Sequence, residues 1–213
     1  MGKRQKQLAQ LLGGEAVTHP APEREDIAAS SYEEIVQKLY SDLGGAQRIY
    51  PLNLRAWDMQ FNGSAVELDE EQHFHLYRTQ TLTSQVYEKL PNFPLHLYRT
   101  YCSRYEDKVR TDGGFWTNPS CNAQFGEASV RGDLAGNGAP RWKQRAFHDF
   151  VKDLSPLILG FNVVRVAIWD TVSVEGRQTA VGNALENSSR KVRSAVIELI
   201  EQRSYATFPL SNE

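Results

Sequence analysis

Cysteine is scarce in this chain: 213 residues hold two, Cys102 and Cys121. Two thiols cannot make a disulfide framework and these lack metal-knuckle spacing, so both read as structural and point to a reducing compartment. Long apolar runs are missing too. None approaches the ~20 residues needed to cross a bilayer, and the apolar stretch inside MGKRQKQLAQLLGG is too broken for a signal-peptide core. A soluble, cytoplasmic protein without membrane contact is the expectation. Nor is there an excess of either charge: 24 Lys+Arg stand against 26 Asp+Glu, a net charge of −2. That excludes a histone-like binder, whose affinity rests on global positive charge, so a polyanion would have to meet a local basic patch. No internal repeat is present.

What is there is ordinary globular material, 40% hydrophobic and 23% charged, of a length that suits one domain. Residues 1–30 read as a flexible arm: a short basic helix over 3–12 ended by Gly13-Gly14, then a Pro/Ala/acid-rich linker. Residues 31–213 read as a single domain with an insertion at about 91–141. A helix is expected over Ser31–Leu43, with Ile35, Leu39, Tyr40 and Leu43 on one stripe. Helical patterns follow over 70–90 and 92–110, and the Gly/Asn/Pro-rich stretch 111–140 reads as a long loop. Trp142–Leu154 is amphipathic, Phe161–Trp169 is a β-branched strand, and a helix over roughly 178–203 closes the chain with a break near 187–189. The order predicts an α/β fold, a small mixed β-sheet flanked by helices.

The most informative stretch is AWDMQFNGSAVELD, residues 56–69. Asn62-Gly63 between two alternating runs is a strong hairpin signal. A two-residue turn sets Phe61 opposite Ser64 and Met59 opposite Val66, so Trp57, Met59, Phe61, Val66 and Leu68 line a core face. Asp58, Glu67 and Asp69 then crowd the other face, with no cation supplied by the hairpin itself. Like charges so placed repel, and a divalent metal is the simplest compensating charge. Two plainer readings stand beside it: Asp69 with Gln72 as a capping box, and Asp58 with Glu67 as solvated surface.

SAVELDEEQHF, preceded by WDMQF, resembles the core of PD-(D/E)XK nucleases, in the branch of very-short-patch repair and EDxHD homing endonucleases. KQRAFHDFVKDLSPLILGFNVVRVAIWDTV resembles that branch's closing helix and strand, with Arg165 inside the strand. The likeness covers about 31–82 and 142–172, and the superfamily's usual lysine is missing, because Asp69 stands where it would fall. The resemblance implies a restriction-endonuclease-like core and an Mg²⁺- or Mn²⁺-dependent endonuclease hydrolysing DNA phosphodiester bonds, in restriction, defence, repair or mobile-element movement. It implies Asp58, Glu67 and Asp69 as metal ligands, His73 as general base or water-orienting group, Gln72 as a water or phosphate contact, and Glu34 as an extra acidic residue. Glu34 also fits a capping box with Ser31, and His73 a packed helical histidine.

Nucleic-acid contacts are expected from Lys143 and Arg145 on the amphipathic helix and from Arg99 and Arg104 in an aromatic and basic run, against the plainer readings of a solvated helix face and ordinary amphipathic packing. DNA is the expected partner. A homodimer stays open, since many such nucleases pair to cut both strands. The alternative is a non-catalytic nucleic-acid-binding or assembly module that keeps the nuclease fold.

Overall fold

The computed structural model describes residues 2–13, 17–111 and 115–204. Helix α1 (Lys3–Leu12) is ended by Gly13 in the left-handed region, φ 68°, where glycine carries no Cβ penalty. Leu8, Leu11 and Leu12 on one face of α1 are buried. After the short helix α2 (Arg24–Ala28), helix α3 (Glu33–Asp42) buries Val36, Leu39 and Tyr40. Ile35, assigned to the stripe by spacing, is instead 39% exposed. The arm expected to be flexible thus adds buried residues Leu8, Leu11, Leu12 and Ile27 to the core.

Strands β1 (Met59–Phe61) and β2 (Ser64–Asp69) form the expected hairpin around Asn62-Gly63, both at positive φ. The register is the one the turn dictates: Met59 opposite Val66, Phe61 opposite Ser64. Strand β3 (Val163–Ala167) pairs parallel to β2, with Glu67 beside Arg165 and Asp69 beside Ala167. The sheet order is β1-β2-β3, so β2 is central and the sheet is mixed.

The helical pattern over 70–90 resolves into three pieces: a 3-10 turn Glu71–His73, helix α4 (Leu76–Thr81) and a 3-10 turn Gln85–Lys89. His75 and Ser84 interrupt it, each extended and each using its side chain to accept a backbone N–H (of Arg78 and Val86) as an N-cap. Helix α5 (Leu95–Thr111) follows. The stretch read as loop holds helix α6 (Pro119–Phe125), started by Asn118 as N-cap and Pro119 at its first position. Helix α7 (Pro140–Asp153) runs into the single turn α8 (Ser155–Ile158). Beyond β3 come a hairpin, β4 (Thr171–Val174) with β5 (Arg177–Ala180), then α9 (Val181–Ala184) and α10 (Arg190–Ser204).

Period-2 alternation divides the sheet's environment. Met59, Phe61, Val66, Leu68, Val164 and Val166 join one apolar cluster with residues of α1, α9 and α10. Ala167 faces the other, larger cluster, built from α3, α4, α5, α6 and α7. On that second side β2 and β3 also present Glu67, Asp69 and Arg165, and α7 covers them with Asp149, Lys152 and Asp153.

Candidate active site

A cleft of about 700 Å³ opens beside this polar face. One wall is the cleft side of α7, where Arg141, Gln144, Arg145, His148, Asp149 and Lys152 recur at three- and four-residue spacing. The apolar side of the same helix, including Phe147, Phe150 and Val151, is packed in the core. The facing wall is an extended strap, residues 51–57, followed by Asp58. Glu67 and His73 form the floor, and Gln5 of α1 reaches the rim.

Asp58 does not continue the hairpin ladder. Its Oδ2 accepts the Leu68 N–H at 2.9 Å, so a side chain stands in for a backbone carbonyl where β1 has ended. The other carboxylate oxygen takes no partner among the described residues. Burial and the neighbouring Glu67 push the Asp58 carboxyl up to about 7, although the Leu68 N–H and Lys152 pull the other way. Glu67 is 9% exposed and receives Lys152 Nζ on both oxygens at 2.8 Å. The same ammonium lies 4.4 Å above the Trp57 ring. The cation that the hairpin lacks therefore comes from α7, 85 residues after Glu67.

Asp69 belongs to a different environment. It is fully buried and does not line the cleft. Its Oδ1 accepts Arg165 at 2.7 Å and its Oδ2 accepts the Tyr98 hydroxyl at 2.7 Å. Arg165 also donates to Asp149 (3.2 Å) and Asp153 (2.8 Å), and Asp153 accepts Arg78 at 2.6 Å. Asp69, His73 and Asp149 bring ligand atoms within 4.8 Å of one another, as a metal cluster would. Arg165 donates into both carboxylates and so offsets part of their charge. Asp69, expected as a ligand beside Asp58 and Glu67, is thus bonded by Arg165 and Tyr98 and stands with His73 and Asp149 instead.

His73 bridges the two environments. Its Nδ1 lies 2.8 Å from Asp149 Oδ2 and 3.2 Å from Asp69 Oδ1, while Arg145 approaches Nε2 at 2.8 Å. A guanidinium can only donate, so Nε2 accepts and Nδ1 carries the proton. Burial raises the Asp149 carboxyl, but His73 and Arg165 outweigh it and hold Asp149 well below the usual carboxylate range. His148, also on the cleft wall, is pushed down to about 4 by burial, despite Asp149, and is neutral at pH 7.

The remaining expected residues lie elsewhere. Gln72 sits in the 3-10 turn beside His73 but does not line the cleft. Glu34 is exposed on the first turn of α3, and no capping box forms there, since Tyr32 is the N-cap. Lys143 turns away to donate to Asn137 at 2.9 Å. On α5, Arg99 donates to the Leu82 carbonyl and Arg104 lies over the Tyr105 ring. Of the four expected nucleic-acid contacts, Arg145 alone lines the cleft. Spacing missed Arg55, Arg141, His148, Asp149 and Lys152; the signal for the last four was α7's polar stripe.

A family model described as "Family of unknown function (DUF7255)" matches residues 38–187, well over half of the chain. The match spans Asp58, Glu67, His73, Arg145 and Lys152, and leaves out α1 and α10. No curated protein and no solved structure matches.

Proposed function

We propose that this chain, which belongs to the DUF7255 family of unknown function, is a divalent-metal-dependent phosphodiesterase that cuts nucleic acid, with DNA the expected substrate. The observation that carries this reading is the convergence of Asp58, Glu67 and Lys152, from three separate segments, on one cleft. Two carboxylates with one lysine are the residue types of the nuclease motif that the hairpin resembles. The lysine missing from the motif's own strand is supplied by α7.

The donor set suits the ion. Asp58 and Glu67 offer oxygen ligands only, which favours Mg²⁺ or Mn²⁺ over zinc. Asp58 also keeps one carboxylate oxygen without a protein partner. A divalent ion held by these two residues would lower the pKa of a bound water and offset charge on a phosphate. Lys152 holds Glu67 in place and presents an ammonium where negative charge would gather on a reacting phosphate. Asp58 must give up its proton to act as a ligand, so binding strengthens as the pH rises through about 7.

Calorimetric titration with Mn²⁺, paired with cleavage of supercoiled plasmid in Mg²⁺, tests the reading. Wild type binds, while Asp58→Asn and Glu67→Gln lose binding and cleavage together. Lys152→Met keeps binding but loses cleavage by roughly a hundredfold or more, the scale of removing one preorganised charge from a transition state. Absence of Mn²⁺ binding in folded wild-type protein would sink the metal centre. DNA binding without any metal-dependent cleavage would favour the non-catalytic module instead.

A further inference from the structure

Three guanidinium groups reach the same cleft without a carboxylate to pair with. Arg141 and Arg145 stand one helical turn apart on α7, and Arg55 extends from the strap opposite. Arg141 donates to the neutral side-chain oxygen of Gln144. Arg145 donates to His73 Nε2, also neutral. Arg55 is exposed and has no partner among the described residues. None of the cleft's carboxylates forms an ion pair with them: Glu67 is bonded by Lys152, Asp149 by His73 and Arg165, and Asp58 by the Leu68 N–H.

Arginines gathered in this way repel one another: burial lowers the Arg145 guanidinium, Asp149 and Asp69 act against that, and Arg141 and Arg55 add to it. Elsewhere in this molecule buried arginines are matched: Arg78 and Arg165 with Asp153, and Arg203 with Asp170. The cleft trio is exposed or half-buried, shares one cleft and bonds no carboxylate, and such a set of N–H forks is suited to a tetrahedral oxyanion.

We infer that Arg55, Arg141 and Arg145 form a phosphate site, distinct from the Asp58–Glu67 centre, that takes a phosphate group of the substrate strand. The inference rests on the reading of this cleft as a phosphodiesterase site. It adds an exchange of partners at one residue. Arg145 can hold His73 Nε2 or turn to a phosphate, and a phosphate oxygen is the stronger acceptor because it is charged. Phosphate binding thus withdraws Arg145 and leaves the His73 lone pair open to the cleft, with Asp149 still fixing Nδ1–H. In the free protein that lone pair is covered.

Inorganic phosphate is the probe, titrated by calorimetry in EDTA so that no divalent ion takes part. Saturable binding is expected in wild type. Arg55→Gln should weaken it about tenfold, the usual loss for one charge-assisted contact, with an unchanged melting temperature because Arg55 touches nothing that folds the chain. Arg141→Gln should weaken it similarly. Long-range ¹H–¹⁵N spectra of the His73 ring should show the Nε2 resonance moving on phosphate saturation while the Nδ1–H tautomer persists. A dT oligonucleotide without a 5′-phosphate competing with inorganic phosphate would identify a backbone phosphate as the source. Competition only by the 5′-phosphorylated form would identify a strand end. Mn²⁺ binding intact with no phosphate binding would overturn this inference and leave the metal reading standing; the converse would keep the anion site and remove the metal. Phosphate binding with His73 unmoved would overturn the exchange of Arg145.

Discussion

Asp58 shows how far one environment alters a residue's chemistry. A carboxyl that is half-buried beside Glu67 titrates near 7 in the folded chain, against an ordinary value of 3.8. The unfolded chain therefore releases this proton first as the pH rises, and folding stability falls between about pH 4 and pH 7. Three pKa units set a ceiling of about 4 kcal/mol, and partial solvent access brings the expected cost nearer 1–3 kcal/mol. Asp58→Asn abolishes the charge while keeping the shape. Urea denaturation should find the variant more stable than wild type at about pH 8 and nearly equal at about pH 4. Equal stability at both pH values would mean that Asp58 is not held protonated in the fold. Among single residues, the shared face of Asp58 and Glu67 was legible because a two-residue turn fixes register, and register fixes faces, whereas His73 came only from the motif's resemblance. The division between Glu67 in the cleft and Asp69 in the core was not. Both lie on one side of β2, and what separates them is which residues of α7, α5 and β3 arrive above each.

At the scale of elements, the sequence reveals those whose own pattern is long enough. The hairpin of β1 and β2, helix α7 and strand β3 lie close to their expected bounds. The run 70–90 fails as one helix because its apolar spacing continues while its backbone does not, with His75 and Ser84 each spending a side chain on a fresh N-cap. The hairpin β4–β5 lies partly in residues 170–177, where no element was expected, and partly at the start of the helix expected over 178–203, although Glu175-Gly176, both at positive φ, bears the same kind of turn as Asn62-Gly63. Helix α1 gives the clearest revision, since composition made the first 30 residues an arm. Leu8 is fully buried against the cluster of α9 and α10, and Arg193 donates to the carbonyls of Leu11 and Leu12 at the end of α1. Arg4 meanwhile bonds both oxygens of Glu71, in the turn that holds His73. Leu8→Ala should therefore cost about 2–4 kcal/mol in chemical denaturation, as a core truncation does, rather than the near-zero effect of a change in a solvated arm.

Across the whole molecule, the two apolar clusters meet at the sheet, and β2 is the element they share. All six of its residues are buried, Ser64, Val66 and Leu68 toward one side and Ala65, Glu67 and Asp69 toward the other. It is hydrogen-bonded to β1 on one edge and β3 on the other. Opening β2 requires breaking both clusters and the Arg165 network together, so its amides should exchange with solvent only by global unfolding. The strap over residues 51–57 is the opposite case. None of its amides donates a hydrogen bond among the described residues, and Pro51, Asn53, Arg55 and Ala56 are exposed. One chain thus sets a rigid strand beneath the cleft and a loosely tied strap along its side. Native-state hydrogen exchange should find the amides of β2 protected to the full free energy of unfolding and those of 52–57 unprotected. The Leu68 amide is the sharpest reporter, since its acceptor is the Asp58 side chain and not a strand carbonyl. Asp58→Ala should cut the protection of Leu68 well below that of Val66 and Ala65 while leaving theirs equal to the global value. Uniform loss along β2 would show instead that Asp58 holds the strand as a whole.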